Sequence, residues 1–195
     1  MNILQAYINK HKQFIILILG LPCTNKSEIA KELITDLSLP IIKINDYLKP
    51  NTFITKTIET IEFKLYEHPD NYDWDKLNTD VNAIKETGVI LYGNYIDKDK
   101  IDFNIDFSYF FNMNTNLCKT ILIEKKILPY PKEESKVTIY FKDIFNPIYD
   151  FNKNYENYTF FTYAVTISLW LVSMYTLSCK YKRGEIRNIN DLMII

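Results

Sequence analysis

The spacing of apolar residues changes several times along the chain, and each change predicts an element. Phe14-Ile-Ile-Leu-Ile-Leu19 is an unbroken apolar run, as expected of a parallel strand covered on both faces. Beyond the segment Gly20–Ser27, Ile29, Leu33 and Leu37 fall at helical spacing while Glu28, Lys31, Glu32 and Asp36 fall elsewhere. That pattern predicts an amphipathic helix. Pro40–Ile44 reads as a second strand ending at Asn45-Asp46, and the less regular stretch from Tyr47 to Tyr72 suggests a helix over Thr57–Leu65. Asp73 is placed to cap a helix carrying Trp74, Leu77, Val81 and Ile84 on one face, with Gly88 as its stop. Val89–Tyr92 and Phe107–Phe111 predict two further strands. Leu117, Ile121, Glu124 and Ile127 predict a helix broken by Pro129 and Pro131, and the positions from Val137 to Ile148 predict another that ends near Pro147. Strands alternating with helices define an α/β fold, a parallel sheet flanked by helices. A length of 195 residues suits one domain, with its core over about 13–158.

The segment between the first strand and the first helix carries a motif. Gly20-Leu-Pro-Cys-Thr-Asn-Lys-Ser27 follows the phosphate-loop pattern G-x-x-x-x-G-K-S/T, except that Asn25 stands where the second glycine belongs. In such a loop the backbone N–H groups from Gly20 through Cys23, Thr24 and Asn25 curl around the β-phosphate of a nucleotide. The helix N-terminus adds partial positive charge, Lys26 reaches the β- and γ-phosphates, and the Ser27 hydroxyl faces Mg2+. Asn tolerates positive φ better than most side chains, so the turn is expected to survive the replacement. Asp46 lies at the carboxyl end of the second strand, on the rim where open α/β sheets bind ligands. There a carboxylate can accept the proton of a substrate hydroxyl, although a lone aspartate after a strand is more often a turn residue.

Composition changes this picture at a few points. The chain has 4 glycines, and the only one before residue 88 is Gly20 of the loop. There are 21 Lys but only two Arg, Arg183 and Arg187, a bias that AT-rich codons would produce. Residues 1–182 therefore offer no guanidinium for gripping phosphate. A net charge of −1 with no basic block among the aromatics does not suggest a nucleic-acid surface. Cys23, Cys118 and Cys179 lack paired metal spacing and read as reduced thiols of a cytoplasmic protein. No secretory leader pattern opens the sequence.

The order strand, phosphate loop, helix, strand, Asp46-Tyr-Leu-Lys-Pro50, then Glu67-His-Pro-Asp70 and Asp73-Trp-Asp75 opening a helix resembles the uridine kinase and nicotinamide riboside kinase group of P-loop kinases. It looks most like the short, Lys/Asn/Ile-rich uridine kinase-like proteins of giant DNA viruses, which would place it in a host cytoplasm. The resemblance covers roughly residues 13–128 and, more weakly, continues to about 150. It implies ATP and Mg2+ as the phosphoryl donor and its metal, and a nucleoside or related small metabolite as acceptor. It maps the catalytic carboxylate to Asp46 beside Lys26, the acid that grips the ribose to Glu67, and a lid over Asn116–Leu128 whose Lys119 meets the nucleotide. His68, Asp70, Asp73 and Asp75 read as structural residues of a helix start.

Three departures shape the expectation. No room is left for the base-binding hairpin that uridine kinases place after the helix beginning at this motif. Tyr92 stands before Gly93 where cellular members carry Glu. The lid offers Lys119, Lys125 and Lys126 where the family uses arginine, and lysine lacks the planar bidentate fork. The alternative is therefore a catalytically impaired nucleotide-binding pseudokinase or scaffold derived from such a kinase. Finally, Phe160 to Cys179 is twenty residues without a charge, long enough to span a membrane. Its six Ser/Thr and the basic cluster on its C-terminal side favour a buried terminal helix over a tail anchor.

Overall fold

All six residues of β1 (Ile15–Gly20) are buried, because β1 runs through the middle of a parallel sheet with helices on both faces. The computed structural model describes residues 3–50, 53–125, 131, 133–146 and 159–162. In this sheet β1 pairs with β5 (Val89–Gly93) on one side and β6 (Phe107–Asn112) on the other. β2 (Ile41–Lys43) lies outside β5, and β7 (Thr159–Thr162) outside β6, giving the order β2-β5-β1-β6-β7 with every pairing parallel. The alternating residues of β1 divide between two cores. Ile15, Leu17 and Leu19 join Leu77, Val81, Leu122 and Tyr140 on one face, whereas Ile16 and Ile18 join Tyr7, Ala30 and Leu33 on the other. An apolar run without alternation is what a strand covered twice requires.

The helices follow the predicted pattern where it was strongly periodic. α2 (Lys26–Leu37) buries Ala30 and Leu33, and α3 (Trp74–Ile84) buries Trp74, Leu77 and Val81. Asp73 caps α3, its carboxylate accepting from the Lys76 N–H at 3.1 Å. α3 ends at Ile84, and a further turn intervenes before Gly88, whose φ is +91°. α4 (Thr115–Lys125) sinks Cys118 and Leu122 into the core, and α5 (Glu134–Tyr140) buries Val137 and Tyr140 before continuing as a wider turn over Phe141–Phe145. α1 (Ile3–His11) is an addition to the predicted elements. Its buried Leu4, Tyr7 and Ile8 keep helical spacing, and the Tyr7 hydroxyl donates to Asp106 at 2.9 Å, tying α1 to the start of β6.

One expectation fails. Thr57–Leu65 is not a helix: β3 (Thr55–Ile58) and β4 (Ile61–Lys64) form an antiparallel hairpin, turning at Glu59 with φ +58°. The spacing of Ile58, Ile61 and Leu65 suits a helix, but Ile61, Phe63 and Leu65 also alternate. The β-branched Thr55, Thr57, Ile58, Thr60 and Ile61 decide for extended backbone. Register places Ile58 opposite Ile61 and Lys56 opposite Phe63, so Ile58, Ile61 and the buried Phe63 share the core-facing side. No hairpin follows α3, as expected, since α3 leads through the turn at 85–87 into β5. The hairpin lies instead before the Glu67 motif.

Most of the segment 160–179 lies outside the described residues. Its first residues belong to β7, a sheet strand rather than a helix. Among the described residues no helix is long and apolar enough to cross a membrane.

Candidate active site

At the carboxyl ends of β1 and β5 the strands open into a cavity of about 590 Å³. Its floor is the loop between β1 and α2. Gly20 leaves β1 so close to β6 that a Cβ would lie 2.3 Å from the Phe111 carbonyl oxygen, and the Leu21 N–H donates to that same oxygen at 3.2 Å. Only glycine fits there. Asn25 adopts the left-handed conformation, φ 55° and ψ 27°, and its carbonyl accepts from the N–H groups of Glu28 and Ile29. The turn that a second glycine would supply is therefore present with asparagine.

Lys26 is drawn into this loop. Its ammonium donates to the Leu21 carbonyl at 2.6 Å and to Thr24 Oγ1 at 3.2 Å, and only 7% of the residue is exposed. Burial lowers its pKa from 10.5 to about 8, against the opposing pull of Cys118, Cys23, Glu67 and Glu28. Thr24 in turn donates to Leu21 at 2.7 Å. Ser27, the first residue after Lys26, donates to Glu28 Oε2 at 2.9 Å on the cavity wall. A hydroxyl and a carboxylate oxygen at the start of a helix are hard donors of the kind Mg2+ takes alongside phosphate oxygens. The residues thus fit that cation. Among the described residues no three of His, Cys, Asp and Glu gather as a metal-ligating group on their own.

Glu67 lines the same cavity. It is 2% exposed and accepts from the Tyr140 hydroxyl at 3.0 Å. Burial, then the Glu67 charge, raises the pKa of Tyr66, Tyr72 and Tyr140, so all three phenols stay neutral beside it. The motif around Glu67 is held by backbone stitching. The Asn71 side chain donates to the Leu65 carbonyl and accepts from the Ile54 N–H at 2.8 Å. Lys49 N–H donates to Asn71 O and Asp73 N–H to Tyr47 O, both at 2.8 Å. His68 is structural, as expected, its Nδ1 accepting from the Asp70 N–H at 3.3 Å. Trp74 Nε1 donates to the Pro69 carbonyl at 2.7 Å and completes the lock.

The other predicted site residues are placed differently. Asp46 lies in the helical turn Ile44–Tyr47 after β2, with 66% of its side chain exposed, in an ion pair with Lys43 at 3.0 Å. It does not line the cavity; its neighbours Lys43 and Asn45 do. Asn45 Oδ1 accepts from the Asn94 N–H at 3.3 Å. Gly93 permits this approach, because a Cβ there would lie 2.9 Å from Ile44 Cβ. Tyr92, at the position where the kinases of the resemblance carry Glu, also lines the cavity, and burial raises its pKa. Lys119 is not brought to this cavity. It lines a smaller hollow of about 150 Å³ between α4 and α5, with Thr138 and Lys142. Lys126 and the side chain of Lys125 lie outside the described residues. The structure therefore joins Gly20 through Ser27 with Glu67, and leaves Asp46 and Lys119 apart from them. Tyr140, Asn45 and Asn94 were not anticipated. Nothing local in the sequence marks Tyr140, whereas Asn45 could have been noticed as the last residue before Asp46 on the sheet rim.

No protein-family model matches the chain, and no curated protein matches it in sequence. Solved structures do match. A sugar kinase from Janibacter sp. HTCC2649 has a TM-score of 0.51 at 12% identity, over 83% of this chain and 91% of that one. A gluconokinase from Sinorhizobium meliloti 1021 gives 0.47 at 9%, over 78% and 84%. A shikimate kinase from Bacteroides thetaiotaomicron gives 0.43 at 13%, over 88% and 99%. The fold is that of the P-loop kinases: a mostly parallel sheet flanked by helices, with the Gly20–Ser27 loop after its central strand.

Proposed function

We propose that the protein is an ATP-dependent phosphotransferase that phosphorylates a hydroxyl of a small polyhydroxylated metabolite, a nucleoside such as uridine or a sugar-like compound. One observation carries this reading: the buried ammonium of Lys26 and the buried carboxylate of Glu67 line one cavity. A cation for the donor phosphates and an acid for the acceptor hydroxyl are the two groups that phosphoryl transfer needs most. The backbone N–H groups of the loop cradle the phosphates, and Lys26 leaves the Leu21 carbonyl to reach the β- and γ-oxygens. The Ser27 hydroxyl, beside Glu28, would hold Mg2+, which would neutralise charge on the phosphates. Glu67, kept in place by Tyr140, receives the acceptor hydroxyl and orients or deprotonates it. Asp46 holds that role in the family resemblance, but its exposure and its pairing with Lys43 favour Glu67 here.

The test is ADP release with Mg·ATP across a panel of nucleosides and sugars. Acceptor-dependent release of at least one phosphorylated product is expected. A second reading, the nucleotide-binding pseudokinase, is favoured by Tyr92 on the cavity wall and by Lys119 facing a separate hollow. Thermal stabilisation by Mg·ATP without acceptor-dependent ADP would select it. Absence of stabilisation even at millimolar nucleotide would remove both.

A further inference from the structure

Two of the three thiols in the chain meet beside the phosphate loop. Cys23 sits in the loop itself, partly exposed, with φ +67°, and lines the cavity. Cys118, near the start of α4, is buried, and its Sγ lies 3.3 Å from the carbonyl oxygen of Pro22, the residue just before Cys23. Cys23 packs against the core cluster that contains Cys118, and the contact with Pro22 brings the Cys118 thiol to the backbone next to Cys23. A phosphate loop works through its backbone N–H groups, so phosphate chemistry has no use for a thiol at either position.

We propose that Cys23 and Cys118 form an oxidisable pair, which a peroxide converts into a disulfide that fastens the phosphate loop to α4. Cys23, the more exposed sulfur, attacks as its thiolate. A sulfur–oxygen bond forms, the peroxide O–O bond breaks, and the departing hydroxide takes up a proton. The Cys118 sulfur then attacks the sulfenic sulfur, forming the S–S bond and breaking the S–O bond. The leaving oxygen departs as water with the Cys118 proton. In total two thiols and one hydrogen peroxide give one disulfide and two waters, and a dithiol reductant reverses the change. The bond would hold Cys23, and with it the loop, against the movement by which Lys26 must leave Leu21 to meet phosphate. This last consequence rests on the nucleotide-binding reading above; formation of the bond does not.

The test treats the reduced full-length chain with hydrogen peroxide, blocks the remaining thiols and maps peptides by mass spectrometry. The expected result is a peptide containing Cys23 joined to one containing Cys118, with loss of two hydrogens from the intact mass and recovery in dithiothreitol. The joined peptide should be absent from Cys23→Ser and from Cys118→Ser and present in Cys179→Ser. Using both single variants guards against a Cys118 change that merely disturbs packing. Linkage of Cys23 to Cys179, or oxygen addition without a joined peptide, would overturn the proposal. So would unchanged thiols under peroxide that oxidises free glutathione. Oxidation should also abolish the melting shift that Mg·ATP gives the reduced chain. An unaltered shift in the disulfide form would refute the gating consequence. No shift in the reduced chain, with the disulfide still forming, would instead refute nucleotide binding and leave the thiol pair standing.

Discussion

The turn after β1 and the turn after β2 leave the same edge of the sheet, with β5 between them, and they treat their charges in opposite ways. After β1, Lys26 is folded inward against its own loop, and two of its contacts are to oxygen atoms of that loop. After β2, Asp46 stands in solvent with a half-exposed lysine, Lys43, as its partner. An exposed pair of this kind contributes about 0–1 kcal/mol and fixes little. A buried ammonium, by contrast, persists only where surrounding groups compensate its lost hydration, and such sites are where function concentrates. The difference is why we propose Glu67, the other charge buried among the described residues, as the acid partner of Lys26, although Asp46 occupies the position that the family resemblance marks.

The sharpest way to break this comparison is to neutralise the two acids in turn. Glu67→Gln keeps the shape and the Tyr140 contact while removing the base, and turnover is expected to fall about 10²- to 10⁴-fold. Asp46→Asn is expected to cost less than about fivefold, the scale of an exposed ion pair. Steady-state kinetics on the acceptor found in the panel decides between them. If the two losses exchange places, Asp46 must swing into the cavity during turnover and the contrast between the turns dissolves.

Next in size is the lysine itself. Lys26→Met preserves the aliphatic stem and removes the charge, so nucleotide affinity should weaken by about 100-fold or more. Stability should move the other way. With its pKa held near 8 in the folded chain against an ordinary 10.5, Lys26 binds its proton less well folded than unfolded, and below pH 8 that penalty is present in full. The methionine variant is therefore expected to melt higher than the parent without ligand and to lose the melting shift with Mg·ATP. A variant that melts lower would mean that the contacts to Leu21 and Thr24 outweigh the cost of burial.

A smaller effect tests the loop geometry. Asn25 has φ 55°, a region that a residue with an ordinary Cβ enters at a cost of about 1–2 kcal/mol and asparagine enters more readily. Asn25→Ala should lower stability by about 1 kcal/mol, a fall of roughly 2–4 °C in Tm, whereas Asn25→Gly should not. Equal loss in both variants would show that the Asn25 side chain, rather than its backbone, holds the turn.

These residues also show how far the sequence could be read. The strands β1, β2, β5 and β6, and the helices α2 and α3, were legible because burial on both faces or on one stripe leaves a periodic trace. Gly20 to Ser27 was legible because a phosphate loop constrains neighbouring backbone positions. The hairpin at 55–64 was misread because Ile58, Ile61 and Leu65 satisfy the helical period as well as the strand period nearly does, and only β-branching separates them. Tyr140 could not be found at all, since its contact with Glu67 spans 73 residues and leaves no local pattern. Asp46 stands on the sheet rim, yet its side chain pairs with Lys43 and does not line the cavity. A position on the sheet rim can be inferred from order along the chain, but the direction of a side chain in a short helical turn cannot.

The smallest expected effect is a pH dependence, and its sign follows from the same lysine. Phosphate binding needs the charged form of Lys26, while the ligand-free chain gives up that proton around pH 8. Binding above this pH must therefore take up a proton, and the apparent affinity falls with the protonated fraction of the free protein. Between pH 7.5 and 8.5 that fraction drops about threefold for a pKa near 8, and the dissociation constant of Mg·ATP should rise by the same factor. The terminal phosphate, with its second pKa near 6, is almost fully ionised throughout this window and does not obscure the trend. Titration calorimetry in two buffers of different ionisation enthalpy measures both the affinity and the proton uptake. A constant affinity with no uptake would mean that Lys26 stays charged well above pH 8, in which case its burial is relieved in the free protein and the contrast with Asp46 is smaller than the folded geometry suggests.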